Sequence, residues 1–167
     1  MGMTFEGNFN GQGLRFVLVA SRFNDFIVKH LIEGAREALC KCGVAEGAVD
    51  LVRVPGAMEI PATARQLAET GAYDAIVCLG CVIRGGTTHY DLVCGEAAKG
   101  VSQVAMQTGV PAVFAVITAE NVEQAIERSG AKMGNKGYEG ALAAVEMATL
   151  AAQLRKAPAR RRQRKSP

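Results

Sequence analysis

Short apolar runs rich in β-branched residues alternate along this chain with longer segments in which apolar residues recur every three or four positions. The short runs predict buried strands, and the longer segments predict amphipathic helices. The predicted strands are 15–20, 49–54, 75–83 and 112–117, and the predicted helices are 26–42, 58–70, 89–108, 119–128 and 138–154. Because strand and helix alternate four times, we expect a three-layer α/β/α sandwich with a central four-stranded parallel sheet.

Two segments stand outside this alternation. Residues 5–9 alternate apolar and polar side chains, and Gly11 and Gly13 separate them from the first strand. They predict an N-terminal strand that pairs with the sheet of a neighbouring subunit. Residues 129–137 (SGAKMGNKG) are predicted to form a glycine-rich loop before the last helix. Residues 1–154 would then form one domain.

The basic charge of the chain is concentrated near its C-terminal end. Residues 155–167 hold seven of the 19 Lys and Arg and none of the 16 Asp and Glu, so the rest of the chain is acidic overall. This distribution argues against a nucleic-acid-binding fold and predicts a disordered basic tail. No apolar run approaches the roughly 20 residues of a membrane span, and residues 1–13 lack the features of a signal peptide. We therefore expect a cytoplasmic protein.

The five cysteines match neither a disulfide framework nor a zinc site. Their number is odd, and a zinc ribbon needs two matched pairs, whereas Cys40-Lys-Cys42 and Cys78-Leu-Gly-Cys81 differ in spacing. Cys78 and Cys81 are three positions apart in a predicted strand, which places their side chains on opposite faces. We expect buried, inert thiols.

A glycine turn and a histidine lie between the third predicted strand and the helix that follows it. Residues 84–86 (Arg-Gly-Gly) permit backbone angles that other residues avoid, and Thr88 with Asp91 resembles a capping box. A glycine turn that enters a helix leaves N–H groups free for an anion, which predicts a phosphate pocket. His89 would be its proton-transfer group, kept neutral near pH 7 by the helix dipole. An ordinary tight turn with an exposed capping histidine is the open alternative.

Other candidates lie where parallel sheets bind ligands, beyond the carboxyl ends of the strands. The loops concerned are 21–25, 55–59, 80–89 and 118–120. Phe23 could stack on a flat heterocycle and Glu59 could accept hydrogen bonds from ligand hydroxyls, and we expect both to converge with His89. Each has an open structural alternative, a hydrophobic staple for Phe23 and a first-turn helix acid for Glu59.

Basic residues near the glycine-rich loop also have two interpretations. Arg128 could bind an anion, or it could be stabilised by the dipole at a helix C-terminus. Lys132 and Lys136 could be solvated loop charges. His30 lies mid-helix among apolar residues and is expected to be structural. From the residues alone, the chain is predicted to bind a phosphorylated small molecule.

Six runs, in order and at matching spacing, resemble the 6,7-dimethyl-8-ribityllumazine synthase family. They are SRFND (21–25), VPGAMEIP (54–61), LGCVIRGGTTHYD (79–91), EAAKG (96–100), ITAEN (117–121) and EQAIERSGAKMGNKG (123–137). The resemblance covers about residues 5–154 and implies a flavodoxin-like fold and the penultimate step of riboflavin biosynthesis. In that step 5-amino-6-(D-ribitylamino)uracil condenses with 3,4-dihydroxy-2-butanone 4-phosphate, with release of phosphate and water and without metal or organic cofactor.

The resemblance implies one set of residues for the pyrimidine and its ribityl chain. These residues are Phe23, Ala57, Met58, Glu59, Cys81, Val82 and Ile83. Phe23 would stack on the ring, Glu59 would accept hydrogen bonds from ribityl hydroxyls, and the strand end at 81–83 would hold the ring edge through backbone groups. Cys81 stands where the family often has Thr, so a contact that needed a hydroxyl would be lost.

A second set is implied for the phosphate and for proton transfer. These residues are Gly86, Thr87, His89, Phe114, Arg128 and Lys136. His89 would transfer protons, and Lys136 would be a secondary contact. Phe114 and Arg128 would come from the adjacent subunit, so that each site would lie at an interface.

The family also implies an assembly. Its members are built from pentamers, some close into sixty-subunit shells, and an association with riboflavin synthase is implied. The loop 130–137 carries no insertion, which favours the shell. The basic tail extends beyond the usual end of the family, and in a shell it could attract anionic guests such as nucleic acid. A non-catalytic flavin- or lumazine-binding storage shell and a flavodoxin-like nucleotide binder are the alternatives.

Overall fold

The computed structural model describes residues 2–157 and contains the predicted four-stranded parallel sheet. The strands are β1 (Phe16–Ser21), β2 (Val49–Val54), β3 (Ala75–Ile83) and β4 (Ala112–Ala119), in the spatial order β2-β1-β3-β4. The helices are α1 (Asp25–Lys41), α2 (Ile60–Glu69), α3 (His89–Thr108), α4 (Val122–Glu127) and α5 (Lys136–Lys156). The predicted three-layer, flavodoxin-like α/β sandwich is therefore confirmed.

Apolar side chains of the sheet form a core on each of its two faces. On one face, Leu18 and Val77 pack with the α1 and α5 helices. On the other face, Val19 and Cys78 pack with α2 and α3. Side chains alternate between the faces because successive residues of a strand point in opposite directions. The central strands β1 and β3 are therefore covered on both faces, which explains their continuous apolar sequences.

Small residues let α1 and α5 approach each other closely. A Cβ atom added to Gly137 would lie 2.1 Å from the backbone oxygen of Leu31. The side chain of Asn135 fixes the same junction, because its Oδ1 accepts hydrogen bonds from the N–H groups of Gly137 and Tyr138 while its Nδ2 donates to the His30 carbonyl. This cap starts α5 two residues before the predicted position.

The chain also differs from prediction after β4. The helix expected over 119–128 is the shorter α4, whose N-cap Asn121 accepts a hydrogen bond from the N–H of Gln124. The expected loop at 129–137 contains a small hairpin of β5 (Ser129–Ala131) and β6 (Gly134–Asn135). α5 continues to Lys156, so the first residues of the predicted tail belong to a helix. The predicted disorder of the remaining tail, 158–167, lies outside the described residues.

Residues 5–9 do not form a strand in this chain. They lie against α5, where the Asn8 N–H donates to Thr149 Oγ1 (2.9 Å) and the Thr149 hydroxyl donates to the Asn8 carbonyl (3.0 Å). The Gln153 side chain donates to the Glu6 carbonyl in the same way. Pairing of this segment with a neighbouring subunit stays a prediction.

Three predictions about single residues can be compared with the structure. Cys78 and Cys81 lie on opposite faces of β3, as predicted, because they belong to different cores. The prediction of buried thiols is wrong for Cys40, which is exposed near the end of α1. His30 is also exposed, next to Glu33 one turn further along, so its expected apolar surroundings were wrong. Within the part of the chain described, we find no helix long and apolar enough to cross a membrane.

Candidate active site

Three loops at the carboxyl end of the sheet enclose a cleft of about 560 Å³. Nine of the predicted site residues line it: Phe23, Ala57, Met58, Glu59, Cys81, Val82, Ile83, Thr87 and His89. The cleft follows from the topology, because parallel strands end at the same edge of the sheet and their loops meet there. The predicted convergence of Phe23, Glu59 and His89 is confirmed.

Phe23 forms an exposed aromatic wall of the cleft. Its backbone is held by two hydrogen bonds between loops, from the Arg22 N–H to the Val54 carbonyl (2.7 Å) and from the Phe23 N–H to the Pro55 carbonyl (3.1 Å). The side chain is 70% exposed, which does not fit a staple packed under α1. An aromatic ring that is fixed at its backbone and open at its face is suited to stacking on a flat ligand.

Asn24 adds a contact that the sequence did not predict. It adopts a left-handed backbone conformation (φ 57°), which Asn tolerates better than most residues. It occupies the N-cap position of α1 without capping it, since its side-chain amide instead donates to the Cys81 carbonyl, 3.0 Å away. The loop that carries Phe23 is thereby tied to the strand that forms the floor of the cleft.

Cys81 contributes its backbone rather than its thiol to this floor. The side chain is 2% exposed and packs in the core shared with α1 and α5. Burial raises the pKa of the Cys81 thiol to about 12, so the sulfur is protonated at neutral pH and is not a nucleophile. The presence of Cys where Thr is expected is therefore compatible with a backbone contact to a ligand.

Glu59 lies in a 3-10 turn (Ala57–Glu59) that leads into α2. One carboxylate oxygen accepts a hydrogen bond from the Gly56 N–H, 2.8 Å away. The structural role considered from the sequence, an acid that stabilises a helix start, is thus present. A carboxylate has about four acceptor positions, so the same group retains capacity for ligand hydroxyls. The neighbouring Met58 is half-exposed in the same cleft.

The glycine turn presents free backbone donors at the opposite side of the cleft. Among the described residues, the N–H groups of Gly85, Gly86 and Thr87 have no hydrogen-bond acceptor. His89, the first residue of α3, is exposed beside them, and its own N–H donates to Thr87 Oγ1 (3.4 Å). Free N–H groups at the start of a 20-residue helix form a suitable binding place for a phosphate group.

The predicted capping box of Thr88 and Asp91 is wrong. Thr88 makes no side-chain cap bond, and the Asp91 carboxylate is turned toward Arg84, whose Nη1 and Nη2 each lie 3.1 Å from one of its oxygens. This pairing lowers the pKa of Asp91 through its hydrogen bond to the guanidinium. Asp91 therefore stays ionised over the physiological range and forms an ion pair with Arg84.

A family model described as 6,7-dimethyl-8-ribityllumazine synthase matches residues 13–152. The chain belongs to this family. Lumazine synthases are transferases of riboflavin biosynthesis, and the match spans the sheet, its helices and every loop of the cleft. The described chain therefore has the fold of a lumazine synthase domain.

Three of the remaining candidates of this lumazine synthase domain do not line the cleft. Arg128 and Lys136 line a second, smaller hollow of about 220 Å³, together with Glu139. Arg128 follows α4 and donates to the Gln124 carbonyl (3.2 Å), while Lys136 Nζ is 3.6 Å from Glu139. Phe114 lies in β4 against the core formed with α2 and α3, and it lines neither hollow. Within one chain, Arg128 and Lys136 thus lie together in a hollow of their own, and Phe114 belongs to neither hollow.

The candidate cleft also contains residues that the sequence did not single out. Tyr90 and Val93 line it from the first turns of α3, and Gly85 lines it in place of the predicted Gly86. Tyr90 could have been suspected as the neighbour of His89. Arg84 and Asn24 could not have been assigned their contacts, because both depend on which strand ends lie side by side.

Proposed function

We propose that this cleft condenses 5-amino-6-(D-ribitylamino)uracil with 3,4-dihydroxy-2-butanone 4-phosphate to give 6,7-dimethyl-8-ribityllumazine, phosphate and water. The observation that carries the proposal is the content of a single cleft. It combines an exposed aromatic ring, a carboxylate, the end of β3, a glycine turn with unpaired amides and an exposed histidine. These groups match a flat heterocycle with a polyol chain and a phosphorylated partner. The family match supports the same reaction class.

In this proposal the pyrimidine lies against Phe23, and its ribityl hydroxyls donate to Glu59. The strand end at Val82 and Ile83 holds the ring edge, because both residues are partly exposed in the cleft and backbone groups can pair with the carbonyl and N–H groups of the heterocycle. Ala57 and Met58 enclose the ribityl chain. A ring fixed on two sides presents its amino group to the second substrate at a defined position, and such positioning supplies much of the acceleration.

The phosphate of the second substrate binds the amides of Gly86 and Thr87 in this proposal. The pyrimidine amine attacks the ketone carbonyl, and loss of water gives an imine. His89 accepts a proton as the C–O bond to phosphate breaks, and the phosphate leaves with its electron pair stabilised by the loop donors. Loss of the C3 proton and of the C4 phosphate leaves an enol, which tautomerises to a ketone at C3. Attack of the ribitylamino nitrogen on this new carbonyl closes the ring, and a second dehydration follows.

A neighbouring copy of the chain completes the site in this proposal. The hollow around Arg128 and Lys136 carries the positive charge that the phosphate requires, yet it lies outside the cleft of its own chain. Docking of the Arg128 side of one subunit against the cleft of the next would supply the missing cation, with Phe114 from the same side. We propose pentamers as the unit, closed shells as their further assembly, riboflavin synthase as an associated protein and the cytoplasm as the compartment.

The proposal is tested by mixing the purified protein with both substrates and recording lumazine fluorescence and phosphate release together. We expect both signals to rise in equal molar amounts and faster than in the spontaneous reaction. No acceleration over the protein-free mixture would reject the synthase. Tight binding of lumazine or riboflavin without acceleration would instead identify the non-catalytic storage protein.

A further inference from the structure

Arg84 is held by three neighbours at the edge of the glycine turn. Its Nε donates to Glu120 (2.7 Å), and Nη1 and Nη2 donate to the two oxygens of Asp91 (3.1 Å each). The guanidinium also stacks on Tyr90, with 4.2 Å between the guanidinium carbon and the ring centre. A planar group with two parallel bonds to one carboxylate has a fixed orientation, which a lysine at the same position could not adopt.

These contacts join three elements of the fold at one point. Arg84 follows β3, Glu120 follows β4, and Asp91 lies in the first turn of α3. The backbone reinforces the junction, since the Arg84 N–H donates to the Ala119 carbonyl (2.9 Å). Residues 85–88 form the short connection between Arg84 and α3. The bidentate pair between Arg84 and Asp91 therefore bridges the two ends of this connection and fixes the distance between them.

The connection has few contacts of its own. A Cβ atom added to Gly85 or Gly86 would meet no heavy atom within 4 Å, so neither glycine is packed against the rest of the chain. Two consecutive glycines also leave the backbone a wide choice of conformations. Because packing does not define the loop, its geometry has to come from the points at which it is anchored.

We infer that Arg84 is a positioning residue, which holds the loop 85–88 in the shape that binds the substrate phosphate and does not itself bind that phosphate. The inference rests on the proposed function of this loop. Two carboxylates surround one guanidinium, so the cluster of Arg84, Asp91 and Glu120 carries a net charge of about −1. A negative cluster beside an anion site opposes anion binding by charge alone. Any favourable contribution must therefore come from geometry.

Asp91→Asn separates the two possible roles because they predict effects of opposite sign. If Arg84 were a phosphate ligand, removing the competing negative charge would strengthen phosphate binding. If the pair holds the loop, the loss of the bidentate contact weakens phosphate binding, by about tenfold for a displacement of the order of 1 Å. The measurement is the affinity of the full-length assembled protein for inorganic phosphate, by isothermal titration calorimetry.

Glu69→Gln is the matched control. Glu69 also accepts a hydrogen bond from an arginine, Arg65 Nε at 2.9 Å, and is similarly exposed, but it lies at the far end of α2. We expect this variant to change phosphate affinity by less than about twofold, as for other exposed ion pairs. Circular dichroism and particle size show whether each variant folds and assembles, and Glu120→Gln serves as the second test variant if Asp91→Asn does not.

Kinetics provide the second readout. Arg84→Ala and Arg84→Lys should both raise KM for the phosphorylated ketone by about tenfold and leave KM for the pyrimidine within about twofold, since only the loop is displaced. Adding Asp91→Asn to Arg84→Ala should cause no further loss, because both changes remove the same contact. Unchanged or tighter phosphate binding by Asp91→Asn would overturn the positioning role. If the wild type neither bound phosphate nor formed lumazine, the proposed function itself would fail.

Discussion

The side-chain amide of Asn24 donates a hydrogen bond to the carbonyl oxygen of Cys81, with 3.0 Å between the two atoms. This bond joins the loop after β1 to the C-terminal end of β3. It therefore links the wall formed by Phe23 to the floor of the cleft. It requires the left-handed backbone of Asn24 (φ 57°), which points the short amide across the gap. This hydrogen bond therefore contributes to the spacing of wall and floor.

Asn24 variants test this link. Asn24→Gly keeps the left-handed backbone and removes the amide, and Asn24→Asp keeps the shape and replaces a donor by an acceptor that faces a carbonyl oxygen. We expect KM for the pyrimidine to rise by a few-fold in Asn24→Gly. The rise should be larger in Asn24→Asp, because an unsatisfied acceptor facing the Cys81 carbonyl weakens binding by about 1 to 3 kcal/mol. Steady-state kinetics at saturating ketone measures this. Equal KM values for Asn24→Asp and wild type would show that the bond does not position Phe23.

His89→Ala should slow the reaction without abolishing it. General acid–base groups contribute about 10²- to 10⁴-fold, and here binding alone still positions the two substrates, so we expect kcat to fall by at least about tenfold. His89→Gln keeps polarity without titrating and should be equally slow. Single-turnover lumazine formation is the measurement, and an unchanged kcat in both variants would remove His89 from the mechanism.

Gly137→Ala and Gly95→Ala are expected to have opposite effects on stability. A Cβ at Gly137 would collide with the Leu31 backbone, which cannot rotate away, so we expect a loss of about 3 kcal/mol or more. Gly95 lies in α3 with no heavy atom within 4 Å of an added Cβ. Alanine there should stabilise the helix by about 0.5 to 1 kcal/mol. Denaturant unfolding of both variants compares them, and equal stability would contradict the close approach of α1 and α5.

The cysteines should differ sharply in reactivity. Burial raises the pKa of Cys78 to about 12, as it does for Cys81, so at pH 8 both thiols are protonated as well as shielded. Cys40 is exposed and should react first with a thiol reagent such as DTNB. In native protein we expect Cys40→Ser to remove the fast phase and Cys78→Ser to leave it unchanged. A fast phase that survives Cys40→Ser would contradict this order.

Much of the fold follows from the sequence because hydrophobic period reports burial directly. The range of β3 and α3 matched prediction residue by residue, since β3 is apolar on both faces and Gly109 ends α3 in a left-handed conformation. The ends of helices were less predictable where a side chain caps the helix. The early start of α5 depends on Asn135, which also contacts a carbonyl of α1, so its role required the tertiary structure.

The candidate site was predictable as a set of loops but not as a set of contacts. Parallel topology brings loops together, so Phe23, Glu59 and His89 could be placed at one edge in advance. Asp91 shows the limit of local reasoning. A helix start suggested that it caps Thr88, whereas the nearby Arg84 offers two charge-assisted hydrogen bonds, which are stronger than a cap. Sequence spacing alone cannot show which of several nearby partners a carboxylate binds.

The central claim is that each catalytic site combines the cleft of one chain with Arg128 of another. Arg128→Ala alone should raise KM for the phosphorylated ketone, and His89→Ala alone should lower kcat. If the two variants are co-expressed in equal amounts, random mixing around a head-to-tail ring leaves about a quarter of the sites with both residues intact. The control is a mixture of His89→Ala and Asn24→Asp, because both changes affect the cleft of the same chain. This mixture should be no more active than the mean of its two parents.

The decisive measurement is the kcat/KM for lumazine formation by the mixed assembly, recorded at ketone concentrations well below KM. We predict that the His89→Ala and Arg128→Ala mixture regains about a quarter of wild-type activity, well above the mean of its two parents. A mixture no more active than that mean would contradict a site shared between chains.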